Sequence, residues 1–331
     1  MHERASPSGS AATVRNLRNA HLGRALMTNG NAATGLRDLN AGIPGADQIK
    51  GAVSAVYDDV ASWSRTGDFW NWGMHCEELL NELNSLRPNF NAGVSDGFSE
   101  QLYFQTLRGL PYAKSEFKTL NVLEVGCGMG EGLNFLTRLV DPARAVGLDI
   151  STAAIRRANA LLARGDRLTY VEGDAERLPF ADGEFDLVIN VESSHNYPDV
   201  ERFFREVSRV LKPGGHFSHI DVFDPRSYVR FTKLQQEIAD FEWIHERDVT
   251  ENVKSAIRRR MAPGSFFRKE YARKQMPIRA RIIGGIGGAH YAGADFIGHK
   301  DALSRVLEIA RIRPRFVGEY ESYRHHLARR A

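Results

Sequence analysis

The chain has 331 residues, 42% of them apolar and 10% aromatic, so it can bury a full core and lies outside the range of disordered compositions. Its 44 basic and 41 acidic residues leave a net charge of +3, too even for a protein that clamps a phosphate backbone, and no nucleic acid is expected as a partner. Cys76 and Cys127 stand far apart with no CxxC or His-rich companion, which predicts no disulfide framework, no metal site and a reducing, cytoplasmic setting.

Residues 1–45 are rich in Ala, Asn, Ser and Gly around a short amphipathic stretch from Val14 to Met27. They read as a flexible leader or an arm that packs on a neighbouring subunit of a homo-oligomer, with an organelle transit peptide as the alternative. No run of about 18 apolar residues occurs, so no stable membrane insertion is expected. Residues 46–119 read as an N-terminal helical cap. Ile49, Val53, Val56, Tyr57 and Val60 recur at helical spacing, an aromatic-dense turn runs from Trp63 to Trp72, and further helices are expected near Glu77–Asn84 and Asp96–Leu107.

Residues 120–225 alternate between short apolar strands and helices. Strands are predicted at Asn121–Val125, Ala145–Ile150, Leu168–Glu172, Phe185–Val191 and Gly215–Phe223, with helices starting after Gly130, at Ser151/Thr152 and at Asp199. This order implies a mostly parallel sheet covered on both faces, whose ligands bind at the carboxyl ends of the strands. After Pro225 the alternation weakens. Residues 226–319 read as a basic helical cap interrupted by Pro263, Pro277, Gly284–Gly288 and Pro314, and residues 320–331 as a final strand and tail.

Glu124-Val125-Gly126-Cys127-Gly128-Met129-Gly130 follows the first strand and opens a helix. Glycines there let the backbone turn tightly and approach a ligand. A dinucleotide fingerprint read from Gly126 would need Gly at position 131, which is Glu131. Asp149 closes the second strand, before Ile150, and would accept hydrogens from ribose hydroxyls. Asp174, followed by Ala175 and Glu176, closes the third and would meet an adenine amino group. Each is an ordinary turn residue alone, but their recurrence at successive strand ends is not.

Residues 120–225 resemble the class I S-adenosylmethionine-dependent methyltransferases that act on small molecules. Asn190 to Pro198 (NVESSHNYP) and Leu211 to Phe217 (LKPGGHF) are similar to the phthiotriol dimycocerosate methyltransferases, and actinomycete terpenoid C-methyltransferases of the teleocidin type share the layout. The resemblance implies a Rossmann-like α/β fold with a mostly parallel seven-stranded sheet, helices on both faces, and N-terminal and C-terminal helical caps. It implies S-adenosyl-L-methionine as cofactor, held by the glycine turn (Glu124, Gly126, Cys127, Gly128, Gly130), by Asp149 and Ile150, by Asp174, Ala175 and Glu176, and by Asn190. Tyr57 and Gln101 are carried over as further cofactor contacts.

Methyl transfer is an in-line displacement, so the site must align donor and acceptor and keep water out. The loop after the fourth strand supplies His195 as general base, with Ser194 and Tyr197 beside it, and Asp221 ends the fifth strand nearby. Trp70 and Trp72 would line a lipophilic substrate site, or simply pack the N-terminal cap. Three reactions stay open: C-methylation of an isoprenoid alkene, with Tyr57 and His195 guiding proton loss or cyclisation; O-methylation of a hydroxyl on a polyketide or lipid; and cyclisation on the same scaffold without methyl transfer.

Overall fold

The computed structural model describes residues 45–64, 67–91, 93–273, 293–298 and 320–331. The leader, apart from Gly45, and the Gly284–Gly288 stretch lie outside them, as does the side chain of Trp63. In chain order the elements are α1 (Ala46–Trp63), α2 (Glu77–Leu86), α3 (Phe98–Gln105), β1 (Asn121–Val125), α4 (Glu131–Val140), β2 (Arg144–Asp149), α5 (Thr152–Leu162), β3 (Leu168–Glu172), β4 (Phe185–Val191), α6 (Val200–Val210), β5 (Leu211–Phe223), α7 (Pro225–Glu237), β6 (Phe241–Asp248), α8 (Thr250–Met261), α9 (Phe266–Arg273) and β7 (Ser322–Arg330).

The seven strands form one sheet in the order β3-β2-β1-β4-β5-β7-β6. β1 to β5 pair in parallel, while β7 runs antiparallel to both β5 and β6. Order reverses at β1, which leaves a crevice at its carboxyl end between β2 and β4. That crevice receives the Gly126–Gly130 turn.

Side chains alternate across the sheet with the period-2 pleat. Val122, Leu187, Ile189, Ile220 and Val222 face one layer, where Leu102 of α3, Leu133 and Leu136 of α4 and Ile155 of α5 cover them. Leu123, Val125, Val188 and Phe217 face the other, under α6 and α7. In α6 the spacing of Phe203, Phe204, Val207 and Val210 makes one apolar face, and all four are fully buried while none of the helix's charged residues is. Burying each such phenylalanine contributes roughly 1.5–3 kcal/mol. Helix starts follow the side chains that cap them: Ser151 accepts from Ala154 N–H, Asp199 from Arg202 N–H, and Asp224 with Ser227 forms a capping box before Pro225.

The reading of residues 226–319 as a cap of helices and loops is corrected by β6, which adds the edge strand of the sheet. Phe241 is buried and Trp243 half-buried on the side facing α7, whereas Glu242 and Ile244 face outward. α7 therefore belongs to the core as the connection between β5 and β6, and α8 packs Val253 and Ile257 into the same layer as Tyr323 of β7.

Candidate functional site

At the end of β1 the backbone N–H groups of Gly126 and Cys127 both donate to Leu148 O, at 2.8 and 3.0 Å, tying the turn to β2. Gly126 and Gly128 take φ of 76° and 52°, conformations that disfavour a side chain. A Cβ on Gly126 would collide with Ser193 Oγ and the Tyr197 hydroxyl, and one on Gly128 would stand 2.7 Å from the Trp70 ring. The crevice is thus open because these residues lack side chains. Asp149 borders it, its Oδ2 accepting from Gly128 N–H (2.8 Å) and its Oδ1 from Ser151 N–H (2.9 Å). Burial raises its pKa even against those two donors.

Ile150, Asp174, Ala175 and Glu176 line the same crevice, as do Tyr57, Trp70 and Tyr197. Trp70 lies on the glycine turn and stacks on Tyr57, with centroids 5.1 Å apart, so both rings border the glycine turn's end of the crevice. α1 closes this end. Asp58 accepts from Ser151 Oγ and Ala153 N–H at the start of α5, and Lys50 reaches Asp174 at 2.8 Å and also pairs with Glu176. Lys50 was not recognisable in the sequence, because a lysine on an amphipathic helix ordinarily serves as solvated surface.

Several expected contacts fall elsewhere. Gln101 is buried away from the crevice, accepting from Cys76 N–H and donating to Gly97 O, and Tyr103 takes the pocket-facing position on α3 instead. Asn190 is internal, donating to Val125 O and to Ser193 Oγ, so it braces the turn from below. Glu124 lies under the turn, with Oε1 accepting from the Tyr103 hydroxyl at 2.7 Å and Oε2 buried with no side-chain partner among the described residues. Burial pushes its carboxyl up to about 8, so it holds its proton at neutral pH. Gly130 accommodates the Tyr170 ring and does not border the crevice. Trp72 packs on Phe296, Tyr320 and Tyr323, and Ser194 is buried against His219 and Asp221. None of these residues lines the crevice, and Trp72 packs the cap, the alternative reading of it.

His195 lies on a short 3-10 turn (Ser194–Asn196) after β4, beside the crevice-lining Asn196 but not itself lining the crevice. Its Nδ1 donates to Asp221 Oδ1 at 2.7 Å, and Asp221 is fully buried. Asp221 also accepts from Ser194 Oγ (2.6 Å), His195 N–H (3.1 Å) and Val222 N–H (2.8 Å). Asp221 therefore positions His195 and has no free edge for a substrate. Burial alone would raise the Asp221 carboxyl, but the charge and hydrogen bond of His195 hold it at about 2. Burial would likewise lower His195, and Asp221 outweighs this to raise it. With Nδ1 committed, the second nitrogen, Nε2, carries the lone pair.

The residue the sequence reading passed over is Glu192. It lines the crevice with a φ of 48°, rare for a residue with a side chain, and its Oε2 accepts from Trp72 N–H and the Tyr323 hydroxyl, both at 2.7 Å. Burial pushes its carboxyl up to about 7. Its bonds to the aromatic segment and to β7 could not be foreseen from a lone acid between a strand and a serine pair. Among the described residues, no group of three or more His, Cys, Asp or Glu is placed to hold a metal ion, and no helix is long and apolar enough to cross a membrane.

This sheet order, with a glycine turn after β1 and acids ending β2 and β3, defines a Rossmann-like α/β protein with a nucleoside-sized crevice at its switch point. A family model described as a methyltransferase domain matches residues 123–219. A phthiotriol/phenolphthiotriol dimycocerosates methyltransferase of Mycobacterium tuberculosis is 36% identical over 188 residues, 56% of this chain and 64% of that protein. The chain thus spans less than two thirds of that relative. A fatty-acid O-methyltransferase of Mycolicibacterium smegmatis is 35% identical over 194 residues, 55% of this chain and 67% of that protein. Two solved structures share the fold at low identity. The [4+2]-cyclase SpnF has a TM-score of 0.58 at 19% identity, covering 85% of this chain and 96% of its own. Geranyl diphosphate C-methyltransferase from Streptomyces coelicolor has 0.56 at 16%, covering 86% and 98%. The chain belongs to the class I S-adenosylmethionine-dependent methyltransferases, the family in which S-adenosylmethionine is the cofactor.

Proposed function

We propose that this chain methylates a hydroxyl group on a lipophilic small molecule. The observation that carries this reading is the Asp221–His195 pair, which leaves Nε2 as the basic nitrogen, 3.0 Å from the side chain of the crevice-lining Asn196. A carboxylic acid ionises unaided at neutral pH, whereas an alcohol or phenol needs a base as its oxygen attacks, so a held imidazole is suited to the latter.

The residues present fit the cofactor. Gly126 and Gly128 form a cradle that a Cβ would fill, Asp149 and Asp174 offer carboxylates to a nucleoside, and the Trp70 ring covers the turn. S-adenosylmethionine supplies a methyl group on a positively charged sulfur. The protein's own part is to align and to dehydrate: Tyr57 and Trp70 roof the crevice, and Tyr103 closes its floor over Gly132. As the acceptor oxygen gains the methyl, its proton passes to His195 Nε2, and Asp221 stabilises the imidazolium that forms. The lipophilic character of the acceptor is supported by the relatives' names.

The stacked Tyr57 and Trp70 rings favour one second reading, C-methylation of an alkene, because aromatic faces stabilise a carbocation. The experiment that separates the two incubates the protein with 13C-methyl S-adenosylmethionine and matched lipophilic acceptors bearing a hydroxyl or a trisubstituted alkene. A methyl ether signal supports the first reading. A methyl group on carbon, with no ether from any hydroxyl acceptor, overturns it.

A further inference from the structure

Glu192 directly follows β4, beside Ser193, whose Oγ lies where a Cβ on Gly126 would fall. It lines the crevice with 9% of its surface exposed and keeps a φ of 48°, a costly conformation that its surroundings must hold. Oε2 takes both donors offered to the carboxyl, Trp72 N–H and the Tyr323 hydroxyl, and among the described residues Oε1 has neither a hydrogen-bond donor nor an ion-pair partner. A buried carboxylate held by neutral donors alone is poorly stabilised when ionised.

The strand order β3-β2-β1-β4 gives the direction in which a cofactor extends along the crevice. Asp174 follows β3 and Asp149 ends β2, so a nucleoside held by those carboxylates leaves the glycine turn after β1 and the end of β4 to the rest of the molecule. We infer that the Glu192 carboxylate is the counter-charge for the sulfonium of S-adenosylmethionine, and that it makes the crevice favour this ligand over S-adenosylhomocysteine. This rests on the assignment of the crevice to the cofactor and is independent of whether the acceptor is a hydroxyl or an alkene. The two ligands differ by one methyl group and one positive charge. After transfer the bonding pair stays on sulfur, the charge is gone, and Glu192 again faces the crevice without a counter-charge, which favours release of the product.

The other acids of the crevice do not duplicate this. Asp174 and Glu176 pair with Lys50, and Asp149 accepts from two backbone N–H groups. Asp68 and Glu131 are only half-buried, where water screens their charge. The titratable and charged groups that face Glu192 from neighbouring elements are His195 on the turn after β4, Asp221 on β5, Tyr323 on β7, Tyr103 on α3 and Arg260 on α8. Of these, His195 and Asp221 pair with each other, and Arg260 pairs with Asp96. Burial pushes the Glu192 carboxyl up to about 7, against the bonds from Tyr323 and Trp72 that lower it, so its charge changes near neutrality and a cation beside it favours the ionised form.

The test is calorimetric titration of both ligands, across pH, into the full chain and into Glu192→Gln. The ionised carboxylate is the form that binds the cation, so the preference of wild type for S-adenosylmethionine should rise about tenfold from about pH 5.5 to about pH 8. Near neutral pH its binding should also release a proton, read from the heats in two buffers of different ionisation enthalpy. Glu192→Gln should lose the rise and the proton release while still binding S-adenosylhomocysteine. A wild-type preference that does not change with pH, or a folded Glu192→Gln that keeps the rise, overturns the inference, and where Glu192→Gln fails to fold the wild-type titrations decide. Equal affinity for the two ligands at every pH strikes the inference and leaves the cofactor site standing, whereas binding of neither strikes both.

Discussion

Asp221, with none of its side chain exposed, accepts the Nδ1 hydrogen of His195 across 2.7 Å and thereby fixes which nitrogen of the ring is basic. In Asp221→Asn that tautomer is no longer enforced, and kcat should fall by about 10²–10⁴. The pH profile gives the sharper reading. His195 must be neutral to act, and its raised pKa places the acid limb of kcat/KM above 6.5. Without the Asp221 charge, burial is opposed by Glu192 alone, so the limb should move to lower pH. A limb that stays in place would show that another group is the base.

The same pair contributes stability over a defined window. His195, raised in the fold, favours the native state below its unfolded value of 6.5 and loses that contribution as pH rises through its folded value. Asp221, held at about 2, favours it above the unfolded value of 3.8 and loses this as pH falls toward 2. The two contributions overlap between about pH 4 and 6.5. Urea unfolding of wild type and Asp221→Asn should differ most inside that window.

Histidines at the sheet centre act in the opposite sense. His219 is wholly buried and burial holds it down at about 3, and burial also lowers His325. Both must stay neutral to remain folded, while the unfolded chain protonates near 6.5, so stability falls as pH drops below that value. The slope should approach about 1.4 kcal/mol per pH unit for each ring. Urea midpoints for His219→Phe should show a shallower acid slope than wild type.

Gly126→Ala places a methyl group against Ser193 and Tyr197 at a φ of 76°. The expected cost is about 1–3 kcal/mol of stability, read from the thermal midpoint, together with loss of cofactor binding. Gly183→Ala is the control, since it also has positive φ but a Cβ there meets nothing closer than 3.9 Å and lies away from the crevice. It should lose stability and keep binding.

Arg260 on α8 holds the aromatic segment. It pairs with the partly buried Asp96 at 2.7 Å and donates to Asn71 O and Trp72 O. Arg260→Met leaves Asp96 without its charge partner and should cost roughly 3–5 kcal/mol. Near-UV circular dichroism should also weaken as Trp70 and Trp72 lose their fixed setting. An unchanged spectrum in a folded variant would remove this role.

How far the sequence alone reaches depends on the range of the interactions. The places of Gly126, Gly128, Asp149 and Asp174 at the crevice were recognisable because strand ends at the switch point of such a sheet border it. Strand β6 was hidden because an edge strand buries only one face, so Phe-Glu-Trp-Ile-His-Glu-Arg-Asp carries too much charge to read as sheet. Tyr103 and Gln101 lie two residues apart on one helix, and only the packing of Tyr103 over Gly132 shows which side chain faces the crevice. Lys50 and Glu192 gain meaning through partners more than a hundred residues away, Asp174 and Tyr323. No local pattern records such pairings.

The most direct measurement is calorimetric titration of S-adenosylmethionine and S-adenosylhomocysteine into wild type and into Asp149→Ala, each shown to be folded. Wild type should bind both, and loss of the Asp149 carboxylate should weaken binding at least tenfold, about 1.4 kcal/mol. Folded wild type that binds neither ligand, or Asp149→Ala that binds as tightly as wild type, would contradict the assignment of this crevice to the cofactor.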